Sequence, residues 1–156
     1  VASGSNITTI NTLLSVGLPQ DLDYGIINAT YVSEEKILNV TNYGNVKINL
    51  SLSGYAVDEG DGFAMNCSLG GNISIEYEKY NLTDSNLGPL DLSSFEGLYF
   101  NLTESPVVRE FDLDYRHNEI NNDAVNATYW RVYVPKGVGG TCQGNLVFGA
   151  VQASGV

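Results

Sequence analysis

The segment Ile37–Tyr55 constrains the fold most strongly, because polar and apolar residues alternate on both sides of a turn. Leu38 and Val40 share one face of the first run, and every second residue from Val46 to Leu52 shares one face of the second run. The Asn-Tyr-Gly-Asn sequence between the runs is typical of a turn. A period of two residues indicates half-buried β-strands.

Short runs of this kind recur along the chain and are separated by turns rich in Gly, Asn and Pro. Further strands are predicted over 24–31, 63–68, 72–80, 98–102, 107–113, 128–134 and 144–152. About nine short strands at this spacing predict an all-β protein, an antiparallel β-sandwich of the jelly-roll or Ig-like kind. No amphipathic helix is predicted, and residues 81–97 and 114–126 are expected to be loops.

Residues 1–17 carry no charged side chain and are rich in β-branched residues, which is typical of a strand that pairs with another strand. It could be the first strand of its own domain or a strand donated to a neighbouring copy; a short helix over 11–16 is a further alternative. We therefore divide the chain into an N-terminal extension, 1–17, as the candidate donor strand, and one β-sandwich domain, 18–156. The side chains expected to fill pockets of the neighbour are Ile7, Ile10, Leu13 and Leu14.

The charge balance argues against several partners. The chain has 7 Lys and Arg against 18 Asp and Glu, a net charge of −11. Such a chain is not expected to bind nucleic acid or an anionic membrane surface. No apolar run approaches the roughly 20 residues of a membrane helix, so no membrane span is expected. The missing initial Met fits a mature chain without its signal peptide, or an excised fragment.

The strongest modification signal is the N-glycosylation sequon Asn-x-Ser/Thr, which occurs nine times. The acceptor residues are Asn6, Asn28, Asn39, Asn49, Asn66, Asn72, Asn81, Asn101 and Asn126. In the clearest strands the acceptor lies on the polar face, as Asn39, Asn49, Asn72 and Asn101 do, and only that face can carry a bulky glycan. Dense N-glycosylation predicts an extracellular or cell-surface protein. The alternative is that Asn and Thr are merely frequent in β-turns.

The chain has two cysteines, Cys67 and Cys142. An even number in a chain with secretory features suggests one disulfide bond. Two buried free thiols are the alternative.

Motifs for catalysis are sparse, and we expect no enzyme. His117 is the only histidine, and the sequence has no zinc-protease, nucleophile-elbow, P-loop or dinucleotide-binding motif. A Ser-His-Asp triad could be drawn on paper with His117 and Asp114, but no serine lies in a supporting context. Paired carboxylates for glycoside hydrolysis stay open because acidic residues are plentiful.

Two acidic segments are candidates for calcium, because this cation prefers carboxylate and carbonyl oxygens. Their members are Asp58, Glu59 and Asp61 in one segment, and Asp112, Asp114, Glu119 and Asp123 in the other. Neither has EF-hand spacing, and the alternative is a pair of solvated acidic loops. The ten tyrosines with Trp130 suggest either a sugar-binding platform or ordinary cross-strand aromatic pairs. Apart from N-linked glycans, no cofactor is expected.

Three segments resemble a known family. The sequence VTNYGNVKINLSLSG resembles a segment of secreted archaeal β-sandwich proteins, YWRVYVPKGVGGTCQGNLVFGA resembles their closing hairpin, and DYGIINA resembles the strand that precedes the first segment. Together they are similar to the TasA/camelysin-like group, which includes bacterial biofilm fibre subunits, archaeal bundling pili and glycosylated thread filaments. The resemblance covers about the core half of the chain. Camelysin's metallopeptidase label is not carried over, because this chain has one histidine and no metal-binding motif.

The resemblance implies jelly-roll or Ig-like subunits that polymerise by donor-strand complementation, without fixing which end donates. From it and the sequons we expect a structural subunit of an extracellular, N-glycosylated, pilus-like or thread-like filament made of copies of this chain. The cell surface and neighbouring filaments would be further contacts. The alternatives are a monomeric glycan-binding or adhesin domain and an S-layer-associated domain of a cell-surface protein.

Overall fold

The computed structural model describes residues 11–19, 21–120 and 122–153. These residues fold mainly into antiparallel β-strands, which confirms the all-β class. The strands are β1 (Val16–Gly17), β2 (Lys36–Asn42), β3 (Ile48–Tyr55), β4 (Phe63–Cys67), β5 (Asn72–Ser74), β6 (Glu78–Asn81), β7 (Phe100–Asn101), β8 (Val107–Leu113), β9 (Ala124–Val132), β10 (Cys142–Gln143) and β11 (Asn145–Gln152). A 3-10 turn spans Ile75–Tyr77, and one α-helix, α1, spans Leu92–Leu98.

The strands form one five-stranded sheet and two three-stranded sheets within the described residues. The five-stranded sheet has the order β1-β2-β9-β6-β7, and the smaller sheets have the orders β11-β3-β8 and β10-β4-β5. The finer jelly-roll or Ig-like arrangement stays a prediction.

The two alternating runs of Ile37–Tyr55 form β2 and β3, which lie in different sheets. The turn between them is fixed by Asn42, a buried residue whose Nδ2 donates to the carbonyl oxygens of Val46 at 2.9 Å and Leu113 at 3.1 Å. Gly44 is needed there because a Cβ atom would lie 2.2 Å from the carbonyl oxygen of Leu13. The apolar faces of β2 and β3 therefore meet in one core cluster.

Trp130 of β9 is fully buried in this cluster. Its ring lies 5.0 Å from the Tyr80 ring of β6 and 5.7 Å from the Phe148 ring of β11, centroid to centroid. Its Nε1 donates to Thr128 Oγ1 at 2.7 Å. Of the two alternatives for Trp130, the structure shows aromatic packing; a sugar platform that uses this side chain is excluded because its ring has no accessible face.

The predicted disulfide is present. Cys67 of β4 and Cys142 of β10 are joined and lie directly opposite each other, with their Cα atoms 4.0 Å apart. Gly144 alone separates β10 from β11, and a Cβ atom there would lie 1.7 Å from the carbonyl oxygen of Ala64. The backbones of β4 and this junction are thus in close contact, which only glycine permits.

The strand predicted over 24–31 is wrong. This part of the chain belongs to an irregular segment, 18–19 and 21–29, that we call the strap. Its side chains Leu22, Tyr24 and Ile27 still pack against the core clusters. The apolar pattern therefore reflects burial, although the backbone of the strap pairs with no described strand.

The expectation that 81–97 is only a loop is also wrong, because α1 begins in it at Leu92. Asp91 caps the helix by accepting the N–H of Ser94 at 2.8 Å. The helix has seven residues and buries Phe95, so it is too short for a helical period to appear in the sequence.

The described part of the N-terminal extension lies along β2 of its own chain. Val16 and Gly17 pair with β2, and the carbonyl oxygens of Ser15 and Leu13 accept the N–H groups of Tyr43 and Asn45. Leu13 and Leu14 remain 54% and 44% exposed. The other two expected plugs, Ile7 and Ile10, lie outside the described residues. Donation of 1–17 to a neighbour stays a prediction, and the single chain pairs 13–17 internally.

Candidate functional site

The outer edge of β11 is open. β11 pairs with β3 over its full length, and its other edge pairs with no strand in the described residues. Leu146, Phe148 and Ala150 pack against the core cluster but are only partly buried. A long edge with half-covered apolar side chains is a surface to which another strand can add.

A cavity of about 960 Å³ lies beside this edge, between the strap and the β10–β11 strands. Each sheet contributes apolar side chains to its wall, among them Leu38 of β2, Ile73 of β5 and Phe148 of β11. The volume is enough for several side chains, so the cavity can receive the inward-facing residues of an added strand.

The strap covers this cavity without hydrogen bonds to the rest of the described chain. Its own bonds are local, such as the N–H of Gly25 to Asp23 Oδ1 at 2.8 Å. Bonds to the body begin at Thr30, whose N–H donates to the carbonyl oxygen of Val134 at 2.6 Å. Side-chain packing therefore holds the strap over the cavity, with the Tyr24 hydroxyl near the Glu78 carboxyl.

A buried carboxyl group lies at the cavity wall. Glu78 of β6 is 3% exposed, and burial raises its pKa to about 8, with the nearby Tyr24 hydroxyl acting in the opposite direction. The Tyr24 hydroxyl has no partner at hydrogen-bond geometry among the described residues. Burial, together with the charge of Glu78, raises the pKa of Tyr24 well above its usual range. At neutral pH the Glu78 carboxyl is therefore mostly protonated.

Stability is expected to fall as the pH rises from about 5 to 8, because the folded chain holds the Glu78 proton that the unfolded chain releases near its ordinary pKa of 4.5. The loss is about 3 kcal/mol by pH 7. Glu78→Gln should flatten this slope in urea unfolding at pH 5, 6, 7 and 8. Glu59→Gln, at an exposed position, is the matched control. Equal slopes in wild type and Glu78→Gln would contradict the assignment.

Most sequon asparagines are exposed. The exposed ones are Asn28, Asn39, Asn66, Asn72, Asn101 and Asn126. Asn49 is half-buried, with its Oδ1 accepting the N–H groups of Phe111 and Asp112 at 2.8 and 3.0 Å. Asn81 is buried, and its Nδ2 donates to the carbonyl oxygen of Leu98 at 3.3 Å, so the folded chain does not offer this nitrogen to a glycan. Asn6 lies outside the described residues.

The first acidic segment has a structural role. The Asp61 carboxylate accepts the backbone N–H groups of Val57, Phe63, Asp58 and Ala56, at 2.9 to 3.2 Å. These bonds, led by the one from Val57, lower the pKa of Asp61 to about 2. The carboxylate therefore closes its own loop.

The second acidic segment is an exposed ion-pair cluster. Asp114 Oδ2 lies 3.0 Å from His117 Nε2, and both side chains are more than half exposed. Arg116 pairs with Glu119 and Asp123 at 3.4 and 3.3 Å. In the described ranges, the calcium candidates Asp58, Asp61, Asp112 and Asp114 and the other acids form no group of three or more metal-binding side chains.

A buried arginine, missed in the sequence, pins a long loop onto the five-stranded sheet. Arg131 of β9 is only 1% exposed. Its guanidinium group donates to Tyr99 Oη at 3.0 Å and to the carbonyl oxygens of Ser33 and Gly88, each at 2.8 Å. It also donates to the carbonyl oxygen of Asn86. Glu35 accepts the Tyr99 hydroxyl at 2.7 Å. The alternating pattern of this strand did not indicate that the charged side chain of Arg131 would be buried.

Comparisons with known proteins leave the family undetermined. No protein-family model matches the chain. No curated protein and no solved structure matches it either. Among the described residues, no helix has the length and apolar character needed to cross a bilayer.

Proposed function

We propose that this chain is a structural subunit of an extracellular, N-glycosylated filament in which copies join head to tail by strand donation. The observation that carries the proposal is the open edge of β11, with Leu146 and Phe148 half-covered above the cavity. An unpaired edge leaves backbone N–H and C=O groups without partners, and a strand from a second copy satisfies them. The disulfide and the exposed sequon asparagines support a location outside the cytoplasm.

The donor segment lies before β1. Residues 1–14 contain no charged side chain, so their burial leaves no uncompensated charge. Ile7 and Ile10 would enter the neighbour's cavity, while residues 13–17, which include Leu13 and Leu14, keep the segment attached to its own chain. A contact between two different surfaces of identical subunits propagates along a fibre and does not close a dimer.

Deleting residues 1–10 is expected to give folded monomers that form no filaments, because the donor is lost while β1 and the edge of β11 remain. Negative-stain electron microscopy and size-exclusion chromatography measure the outcome. Ile7→Ser with Ile10→Ser should have the same effect, whereas Thr8→Ser with Thr9→Ser is the matched control that keeps filaments. Filaments of normal length from the deleted chain would show that the donor assignment is wrong.

A synthetic peptide of residues 1–14 tests the acceptor directly. Added to the truncated chain, it should raise the melting temperature, and the rise should grow with the logarithm of the peptide concentration once the acceptor is mostly occupied. The same peptide with Ile7→Asp and Ile10→Asp should leave the melting temperature unchanged. If neither peptide changes the melting temperature, the proposed acceptor edge is wrong.

A further inference from the structure

Lys79 and Asn101 face each other on two neighbouring strands. They occupy directly opposite positions of β6 and β7, so their side chains leave the sheet on the same side. The Nζ atom of Lys79 donates a hydrogen bond to Oδ1 of Asn101. The amine is therefore held next to Cγ, the carbon atom of the side-chain amide.

Burial shifts Lys79 toward its neutral form. Lys79 is 4% exposed and, in the described part of the chain, forms no ion pair. Its Nζ lies 5.4 Å from the centre of the fully buried Phe95 ring, a cation–π contact that favours the protonated form. Burial lowers the pKa of Lys79, and the charges of Glu96 and Glu76 oppose this effect. A desolvated lysine beside an electrophilic carbon atom is the arrangement of an activated nucleophile.

We propose that Lys79 and Asn101 form an intramolecular isopeptide bond. The lone pair of the neutral Nζ attacks Cγ of Asn101 and forms a new C–N bond, and the electrons of the carbonyl π bond move onto Oδ1. The tetrahedral intermediate collapses with cleavage of the Cγ–Nδ2 bond. Nδ2 takes a proton from Nζ and leaves as ammonia. One amide replaces another, so no oxidant or reductant is needed.

The charges of two exposed carboxylates act on the amine. Glu96 of α1 and Glu76 of the 3-10 turn are the acidic groups whose charges act on Lys79. Either would take a proton from Nζ of the intermediate through water and return it to Nδ2 in the same way. The Phe95 ring excludes water from one side of the amine, which slows the competing hydration of the reacting atoms.

The bond would compete with glycosylation at one sequon. Asn101 begins the sequence Asn-Leu-Thr, so its Nδ2 is also the predicted acceptor of a glycan. Because Nδ2 leaves as ammonia, a single chain can carry the isopeptide bond or a glycan at Asn101, and never both. The bond would also fix the short β7 covalently to β6 at the edge of the five-stranded sheet.

Mass spectrometry of the full chain, made in a host without N-glycosylation, tests the proposal. After reduction of the disulfide, the folded protein should be about 17 Da lighter than its sequence, the mass of one ammonia. A tryptic digest should contain one branched peptide that joins Lys79 to Asn101. Lys79→Arg and Asn101→Ala should each restore the full mass, whereas Lys136→Arg, at an exposed position, should keep the loss.

The branched peptide keeps the test independent of variant folding, because it is sought in the wild-type chain. A full sequence mass in folded wild-type protein, with Lys79 and Asn101 recovered in separate linear peptides, would overturn the proposal. A glycan found at Asn101 in every chain of the native material would overturn it for that material. A mass loss that persists in Lys79→Arg would assign the lost ammonia to another site and would also overturn it.

Discussion

Replacing both Cys67 and Cys142 by alanine is expected to lower the free energy of unfolding by about 4.5 kcal/mol. The two cysteines are 75 positions apart, so the disulfide closes a long loop and removes much of the conformational entropy of the unfolded chain. The native structure loses little local support, since the two-residue β10 is already paired with β4. Guanidinium unfolding of the oxidised protein and of the double variant measures the difference.

Reduced wild-type protein is the matched control. It lacks the disulfide, as the double variant does, but keeps both thiols. The two should unfold at nearly the same denaturant concentration, well below the oxidised protein. If the oxidised protein and the double variant unfold at the same denaturant concentration, closing the loop does not lower the entropy of the unfolded chain, and the entropic explanation is wrong.

Arg131→Met is expected to destabilise the fold by about 3 to 5 kcal/mol. The substitution keeps most of the side-chain volume but removes the guanidinium group, leaving the carbonyl oxygens of Ser33, Asn86 and Gly88 without their donor. Buried acceptors without partners are costly, and Glu35 would retain its charge while losing a nearby cation. Urea unfolding gives the free-energy difference.

Arg116→Met is the control, because it removes the charge of an exposed arginine instead of a buried one. Its ion pairs lie in an exposed loop, where such pairs contribute at most about 1 kcal/mol. Hydrogen exchange adds a local test, because loss of Arg131 should release the amide protons of 82–91 before those of β3. A change below about 1 kcal/mol for Arg131→Met would mean that solvent reaches the site and replaces the missing donor.

The parts of the fold that were predicted from the sequence depend on local patterns. β3, β8 and β11 were located to within one or two residues, because alternation with a period of two reports burial on one face. The disulfide was predicted from the even number of cysteines and the secretory features. The strap is the exception, since its apolar residues are buried without a strand.

The remaining features depend on contacts between distant residues. Strand order and register determine three of these features. They place β2 and β3 in different sheets, bury Arg131 beneath residues 82–91, and bring Lys79 opposite Asn101. A single sequence contains no signal for register between strands that are far apart. Asn81 illustrates the same point, because its sequon is indistinguishable from the exposed ones until the loop that covers it is known.

The pairing of β11 with β3 also sets the order of events during synthesis. β3 is complete once Tyr55 has been made, but its partner spans Asn145–Gln152, so β3 waits for nearly a hundred residues before that edge is paired. Cys67 is made 75 positions before Cys142, its disulfide partner. Until then one edge of β3 stays unpaired, although its other edge can already pair with β8, and an open apolar edge is prone to association. We therefore expect the chain to be most prone to association during synthesis in the interval before β11 is made.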